Sequence, residues 1–240
     1  LVAALQSPAR NVRTAAVNKL VARGNAVFPQ LQQLFESAEN PYVQVRPIWV
    51  MAQLGPKGQG YVRNLLNSRN PQHRLVAYRA LRFAQPAGLI PMANKMAGDK
   101  DPSVRREVAL SLRDVPYAKA KRALAQVIDG YDGKNRWYLE AIGAGSVGNE
   151  DRVYDELVSP NHAKTSPAEW SDRVKNLAWR LHTPQAIEDL HATIKTQKPT
   201  IEDFRRWVMG YAGYRNNTER KQYKAQLESL AREPGFEDEK

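Results

Sequence analysis

Apolar residues recur along this chain three and four positions apart, the period of an amphipathic helix. In PSVRREVALSLRDV at 102–115, Val104, Val108, Leu112 and Val115 share one helical face. Pro116 interrupts, and YAKAKRALAQVID then places Ala120, Leu124, Val127 and Ile128 on one face. The same two-helix phrase occurs earlier. Val12, Ala16 and Leu20 mark a first helix, Gly24 sits where a C-terminal cap belongs, and Leu31, Leu34 and Phe35 mark a second. A further pair runs through Val45, Trp49 and Leu54, stops at Gly55-Pro56, and resumes with Val62, Leu65 and Leu66. Another uses Leu75, Tyr78 and Leu81, then Leu89, Ile90 and Met96.

Each pair is introduced by a small polar residue followed by proline: Ser7-Pro8, Asn40-Pro41, Asn70-Pro71 and Asp101-Pro102, the prolines 33, 30 and 31 residues apart. Ser, Asn and Asp accept from the free N–H groups at a helix start, and proline is tolerated in the first turn because its missing N–H has no partner there. A fixed period near 30 residues marks a stacked array of supersecondary units. Pro47 falls inside the helix that Pro41 would open, which predicts a kink, or a short turn at 41–44 before the main helix.

Beyond the fourth pair the punctuation blurs. Helices are expected near 135–143, 150–158, 168–182, 184–195, 200–213 and 217–232. SPNHAKTSP at 159–167 reads as a polar loop, an insertion or a hinge. This divides the chain into repeats at 1–158, the loop, further helix pairs at 168–232 that continue the array, and a tail at 233–240 expected to be disordered. The opening LVAAL looks like the end of an earlier helix, and Leu1 is not an initiator Met, so we read the chain as a piece of a longer polypeptide.

Composition narrows the chemistry. With 240 residues, 42% of them hydrophobic, the chain can bury a core. No apolar run approaches the ~18 residues of a membrane span. There is no cysteine, which excludes thiol nucleophiles, disulfides and Cys-ligated metals and leaves the compartment open. The net charge is +11 and the acidic end EPGFEDEK contributes −3, so residues 1–232 carry +14. Such a charge draws nucleic acid, anionic lipid or an acidic partner, or else serves a solvated surface with internal ion pairs.

Units of about 30 residues that open D/N-P-x-x-V-R and continue with Ala and Leu at core positions resemble HEAT repeats. The clearest copy is DPSVRREVALSL at 101–112; SPARNVRTAAVNKL at 7–20 is looser, with two extra residues before its Val-Arg. The resemblance implies an all-α, right-handed α-α superhelix of about six or seven helix pairs, good over 1–158 and weak beyond. It is specific for fold and poor for function. A narrower resemblance lies in YDGKNRWYLEAIGAGSVGNED at 131–151, which follows the fourth repeat. That order is similar to the helical segment of large secreted bacterial proteins, between a sugar-dehydrogenase-like β-propeller and a c-type cytochrome domain. The matching stretch holds Asp132, Arg136, Trp137, Tyr138, Glu140 and Gly143. Propeller and CxxCH haem motif are both missing here, so the resemblance implies a connecting scaffold outside the cytoplasm and carries over no redox chemistry.

Other constellations have plainer readings. GAGSVG at 143–148 matches GxGxxG, but a dinucleotide site needs a preceding strand, and RWYLEAI reads as a helix; a glycine-rich turn between helices is expected. His73, His162, His182 and His191 form no compact ligand pair, so no metal is expected. Asp114, Asp129, Asp132 and Glu140 are read as caps and ion-pair partners rather than general bases. Arg13, Arg74 and Arg105 enter their first helices in the same way and read as an internal ladder. Arg69, Arg79, Arg82, Arg106, Arg113, Lys119, Lys121, Arg122, Arg173, Lys175, Arg180, Arg205 and Arg206 either join them or line a wall that tracks phosphates. Trp137, Trp179 and Trp207 each adjoin an Arg, as in helical-repeat DNA glycosylases that hold damaged DNA between aromatics; core filling is the plainer use.

The sequence therefore predicts a non-catalytic scaffold without cofactor, its partner a protein or a neighbouring domain of the same polypeptide. Arg74, Arg106, Arg136, Trp137 and Glu140 are the candidate contacts, since basic and aromatic groups dominate interface energetics. The alternative is a nucleic-acid-binding or alkylpurine-glycosylase-like repair module with a basic concave face. An anionic membrane surface is disfavoured, because no helix pairs a strong apolar face with a Lys-rich one.

Overall fold

A computed structural model of the chain describes residues 1–161, 164–166 and 169–197, with the single positions Lys224, Glu228 and Arg232. Every regular element among the described residues is helical. The chain forms two compact units, Leu1–Val108 and Ala109–Lys240. They part within a helix of the fourth pair, where the sequence marks no break; repeats touch only their neighbours, so any repeat can carry such a boundary.

The first unit opens with a 3-10 turn, Val2–Gln6. There follow α1 (Arg10–Ala22), α2 (Phe28–Ser37), α3 (Pro41–Gln44), α4 (Arg46–Met51), α5 (Pro56–Leu65), α6 (Pro71–Ala84) and α7 (Leu89–Met96). Next, α8 (Pro102–Ser111) crosses into the second unit. Most of the apolar stripes of this unit face inward as the spacing predicts, with Leu20, Leu31, Ile48, Val62, Tyr78 and Val104 all buried, but Val12, expected on the α1 stripe, is exposed. Pro47 divides the second repeat as expected, giving α3 over 41–44 and then α4. Gly58 of α5 packs where a Cβ would overlap the carbonyl of Met51, the last residue of α4.

Three of the four polar-proline pairs start helices. The Asn40 side chain accepts from the N–H of Tyr42 and Val43 at 2.9 and 3.3 Å, Asn70 accepts from Gln72 at 2.9 Å, and Asp101 accepts from Ser103 at 2.8 Å. Ser7 does not cap α1. Its hydroxyl accepts from Ala9, which is itself the N-cap residue. The two extra residues before the first Val-Arg thus displace the helix start past Pro8.

The second unit continues with α9 (Tyr117–Asp129), α10 (Arg136–Gly145), α11 (Glu150–Val153), α12 (Asp172–Leu181) and α13 (Pro184–Gln197). The helix expected over 150–158 is one α-turn that widens into a π-turn at Tyr154–Val158, placing buried Tyr154 so that its hydroxyl donates to Asp189 at 2.7 Å. Burial and that carboxylate push the Tyr154 hydroxyl above its ordinary pKa. Gly143 and Gly145 lie inside α10, which corrects the expected turn; only Gly148, with φ of 78°, occupies one. A Cβ on Gly145 would strike the Ala109 carbonyl, and one on Gly143 would strike the Arg180 guanidinium. The glycines serve close helix packing. Helices expected at 200–213 and 217–232, the tail at 233–240, and the residues Trp207, Arg205 and Arg206 lie outside the described residues, apart from the three single positions.

Candidate functional site

The arginine ladder is present. Arg13 Nη1 donates to the carbonyls of Ser7 and Pro8 at 2.9 and 2.6 Å. Arg74 Nη1 donates to Ser68 and Arg69 at 2.8 and 3.3 Å, and Arg105 Nη1 to Asp99 and Lys100 at 2.6 and 3.1 Å. In all three the guanidinium, four residues past the N-cap, reaches back to the loop that delivers its own helix. In the second repeat Gln44 holds that position, and its Oε1 lies 3.0 Å from His73 Nε2. Arg74 also grips Asp99 through both remaining nitrogens.

Of the other basic residues, Arg79, Arg82, Lys121, Arg173, Lys175 and Arg180 also bond within their own unit, whereas Arg69, Arg106, Arg113, Lys119 and Arg122 make no side-chain bond among the described residues. Arg79 and Arg82 of α6 converge on Glu107 of α8, only 5% exposed, at 2.5 and 3.3 Å. Lys121 pairs with Glu156 at 2.6 Å, and the Tyr117 hydroxyl donates to the same carboxylate at 3.1 Å. Burial, then that carboxylate, pushes Tyr117 up to about 12, while the bond from Lys121 chiefly holds Glu156 below its ordinary range. Arg173 donates to the Tyr131 and Ile128 carbonyls at 2.9 and 2.8 Å.

The five candidate contacts separate accordingly. Arg74 is internal, its side chain 13% exposed. Glu140 accepts from Arg180 at 2.8 Å and lies 3.9 Å from Arg136. Arg106 is half-buried, with no hydrogen bond or ion pair among the described residues. Arg136 and Trp137 project from the start of α10, 79% and 72% exposed. Trp137 is therefore no core filler, whereas Trp170 is buried and Trp49 and Trp179 half-buried. Asp132 accepts from the N–H of Lys134 and Asn135, which holds its carboxyl below the ordinary range. The described residues contain no cluster of three or more His, Cys, Asp or Glu able to hold a metal. His162 lies outside the described residues, and of His191 only the backbone is described.

Sequence reading missed an open groove of about 640 Å³ in the first unit. Helices α1, α4 and α6 form it with the opening turn. Leu5, Val17, Trp49 and Phe83 supply apolar surface; Arg10, Arg13 and Arg46 supply charge; Thr14, Asn18 and Gln53 supply polar groups; no carboxylate lines it. Phe83 is 66% exposed and meets Trp49 edge-on, with centroids 6.4 Å apart. Arg46 Nη1 donates to the Leu5 carbonyl at 2.7 Å, which fixes its head beside the groove. One signal for the site stood in the sequence. The first unit holds 15 Lys and Arg against 5 Asp and Glu, so it carries +10 of the chain's net +11.

Residues 61–143 match the family model of HEAT repeats. The match thus covers α6 to α9 with half of α5 and most of α10, and includes two of the three ladder arginines. Eight chains of solved structures also match. One is a designed armadillo repeat protein, 15% identical, with alignment over 95% of this chain and 98% of that one and a TM-score of 0.25. No curated protein matches the sequence. HEAT repeats support a helical-repeat interaction module. No helix among the described residues is long and apolar enough to cross a membrane.

Proposed function

We propose that this chain is a non-catalytic helical-repeat scaffold for protein partners, and that the groove formed by α1, α4 and α6 is a recognition face. One observation carries this: exposed Phe83 stands against Trp49 beside three arginines that no carboxylate in the groove neutralises. Aromatic and guanidinium groups around a shallow pocket are the usual anchors of a protein interface. The test is a photo-crosslinking residue in place of Phe83, in the full chain, in an extract of its source. The scaffold reading expects a discrete polypeptide adduct that Arg10→Glu abolishes. An adduct to nucleic acid, or none, overturns it.

The concentration of charge in the first unit supports a second reading, a nucleic-acid-binding module. It predicts duplex affinity that falls steeply with salt, through release of counterions. Arg10 and Arg69 are the positions to test, since Arg105 holds backbone carbonyls and its loss disturbs the fold.

The likeness of 131–151 to the helical segment of secreted redox proteins supports a place between other domains outside a bacterial cytoplasm. Intact mass and haem staining of the native polypeptide test it; a free chain near 27 kDa without haem rejects it.

A further inference from the structure

We infer that the groove of the first unit receives an extended acidic segment of a partner protein, with one aromatic or large aliphatic side chain seated against Phe83 and Trp49. This rests on the scaffold reading and names its ligand chemistry.

The positive charge at the groove is local. Arg13 and Arg46 each commit one nitrogen to backbone carbonyls, and their other N–H groups have no partner among the described residues. Their heads are held in place before any ligand arrives, so little side-chain entropy is lost when a carboxylate binds. Arg10 is exposed and has no described partner. The acids of the unit are largely engaged elsewhere. Asp99 holds Arg74, Glu107 holds Arg79 and Arg82, and Asp101 caps α8. Glu36 and Glu39 remain, and neither lines the groove. A ligand there meets positive potential with no internal competitor, and charge complementarity selects an acidic one.

Shape favours peptide over nucleic acid. The groove has the volume of a pocket for a few side chains. Stacked bases need open ring faces along a strand. Here the two rings meet at 67° and Trp49 is half-buried, which suits a single inserted side chain. The Asn18 amide, without a described partner, faces the same space and can bond an extended main chain.

The test uses the full chain and fluorescein-labelled peptides of about eight residues, long enough to cross such a groove. One has a central Phe flanked by Asp and Glu, a second has Ala for Phe, and a third has Lys for the acids. Anisotropy is expected to show binding of the acidic Phe peptide, about fivefold weaker binding of the Ala peptide, and none of the Lys peptide. Arg10→Glu should weaken binding about tenfold, whereas Arg69→Glu, an equal charge change outside the groove, should leave it within about twofold. Phe83→Ser should remove the preference for Phe over Ala. Circular dichroism confirms that all three exposed substitutions leave the fold intact. Equal affinity for acidic and basic peptides, or equal effects of the Arg10 and Arg69 variants, overturns the inference. A single-stranded oligonucleotide that binds in an Arg10-dependent way while the peptides do not also overturns it. A polypeptide adduct at position 83 with no acidic-peptide binding rejects only the ligand chemistry and leaves the scaffold reading standing.

Discussion

Arg74 grips Asp99 with two hydrogen bonds, Nε to Oδ2 at 2.7 Å and Nη2 to Oδ1 at 2.6 Å, while its third nitrogen holds the loop before its own helix. Asp99 Oδ1 in turn accepts from the Asp101 N–H at 2.8 Å. One guanidinium thus ties the start of α6 to the loop that launches α8, and it fixes the spacing of two successive repeats. With side chains 13% and 7% exposed, the pair is well shielded. Removing one partner of such a pair leaves the other charge uncompensated. Asp99→Ala is expected to lower unfolding free energy by about 3 kcal/mol in denaturant titration. Arg74→Lys should recover little of what Arg74→Ala loses, because an ammonium cannot make the fork. Equal stability of Arg74→Lys and the parent would sink this account.

The helix starts give a graded comparison. Asn70→Ala removes the acceptor for the Gln72 N–H and should cost about 1 kcal/mol, whereas Ser7→Ala, at a position that caps no helix, should cost a few tenths. Thermal melts of the two variants check the order.

Gly145 and Gly143 should respond differently to alanine. A Cβ at 145 meets a backbone carbonyl that cannot move aside, so Gly145→Ala should destabilise by about 2 kcal/mol despite the ~1 kcal/mol that Ala gains in helix propensity. A Cβ at 143 meets the flexible end of Arg180, which can swing away. Gly143→Ala should be nearly neutral in stability while separating Arg180 from Glu140. A double-mutant cycle with Glu140→Gln reads that loss.

His73 makes the first unit acid-sensitive. Its ring lies between Ser68 Oγ and Gln44 Oε1 and against Phe35, and burial holds the imidazole below its ordinary pKa. The unfolded chain then binds a proton at higher pH than the folded one. The stabilising contribution is whole above the ordinary imidazole value and is lost as pH falls from there through the folded value. Melting temperature should drop between about pH 7 and 5 in the parent and drop less in His73→Gln. A larger drop in the variant would contradict the assignment.

Two tryptophans separate surface from core. Trp137→Ala should change stability by no more than about 0.5 kcal/mol, as expected of an exposed side chain. Trp170→Ala should cost about 3 kcal/mol through the cavity left behind. Equal losses would place Trp137 in a packed interior.

What was legible in the sequence was local. The Asn-Pro and Asp-Pro starts of α3, α6 and α8, the break at Pro47 and the apolar stripe of α9 each depend on residues within one or two turns. The ladder of Arg13, Arg74 and Arg105 was legible for the same reason, since each bonds carbonyls five and six residues back. Ser7 misled because capping is set by where the backbone turns helical, and that point moved to Ala9.

The sequence alone determined the helical pairs of the first unit, their period and three of the four caps, because helix start and stop signals act over a few residues. Only the tertiary structure decided that Arg79, Arg82 and Arg180 bond internally while Trp137 stands in solvent. It also decided that Gly145 admits the Ala109 backbone and Gly143 the Arg180 side chain rather than forming a turn. The groove is the clearest case: Leu5, Arg10, Arg46, Trp49 and Phe83 come from four elements spread over nearly eighty residues. No local rule relates them, because burial and proximity belong to the stacking of one repeat on the next.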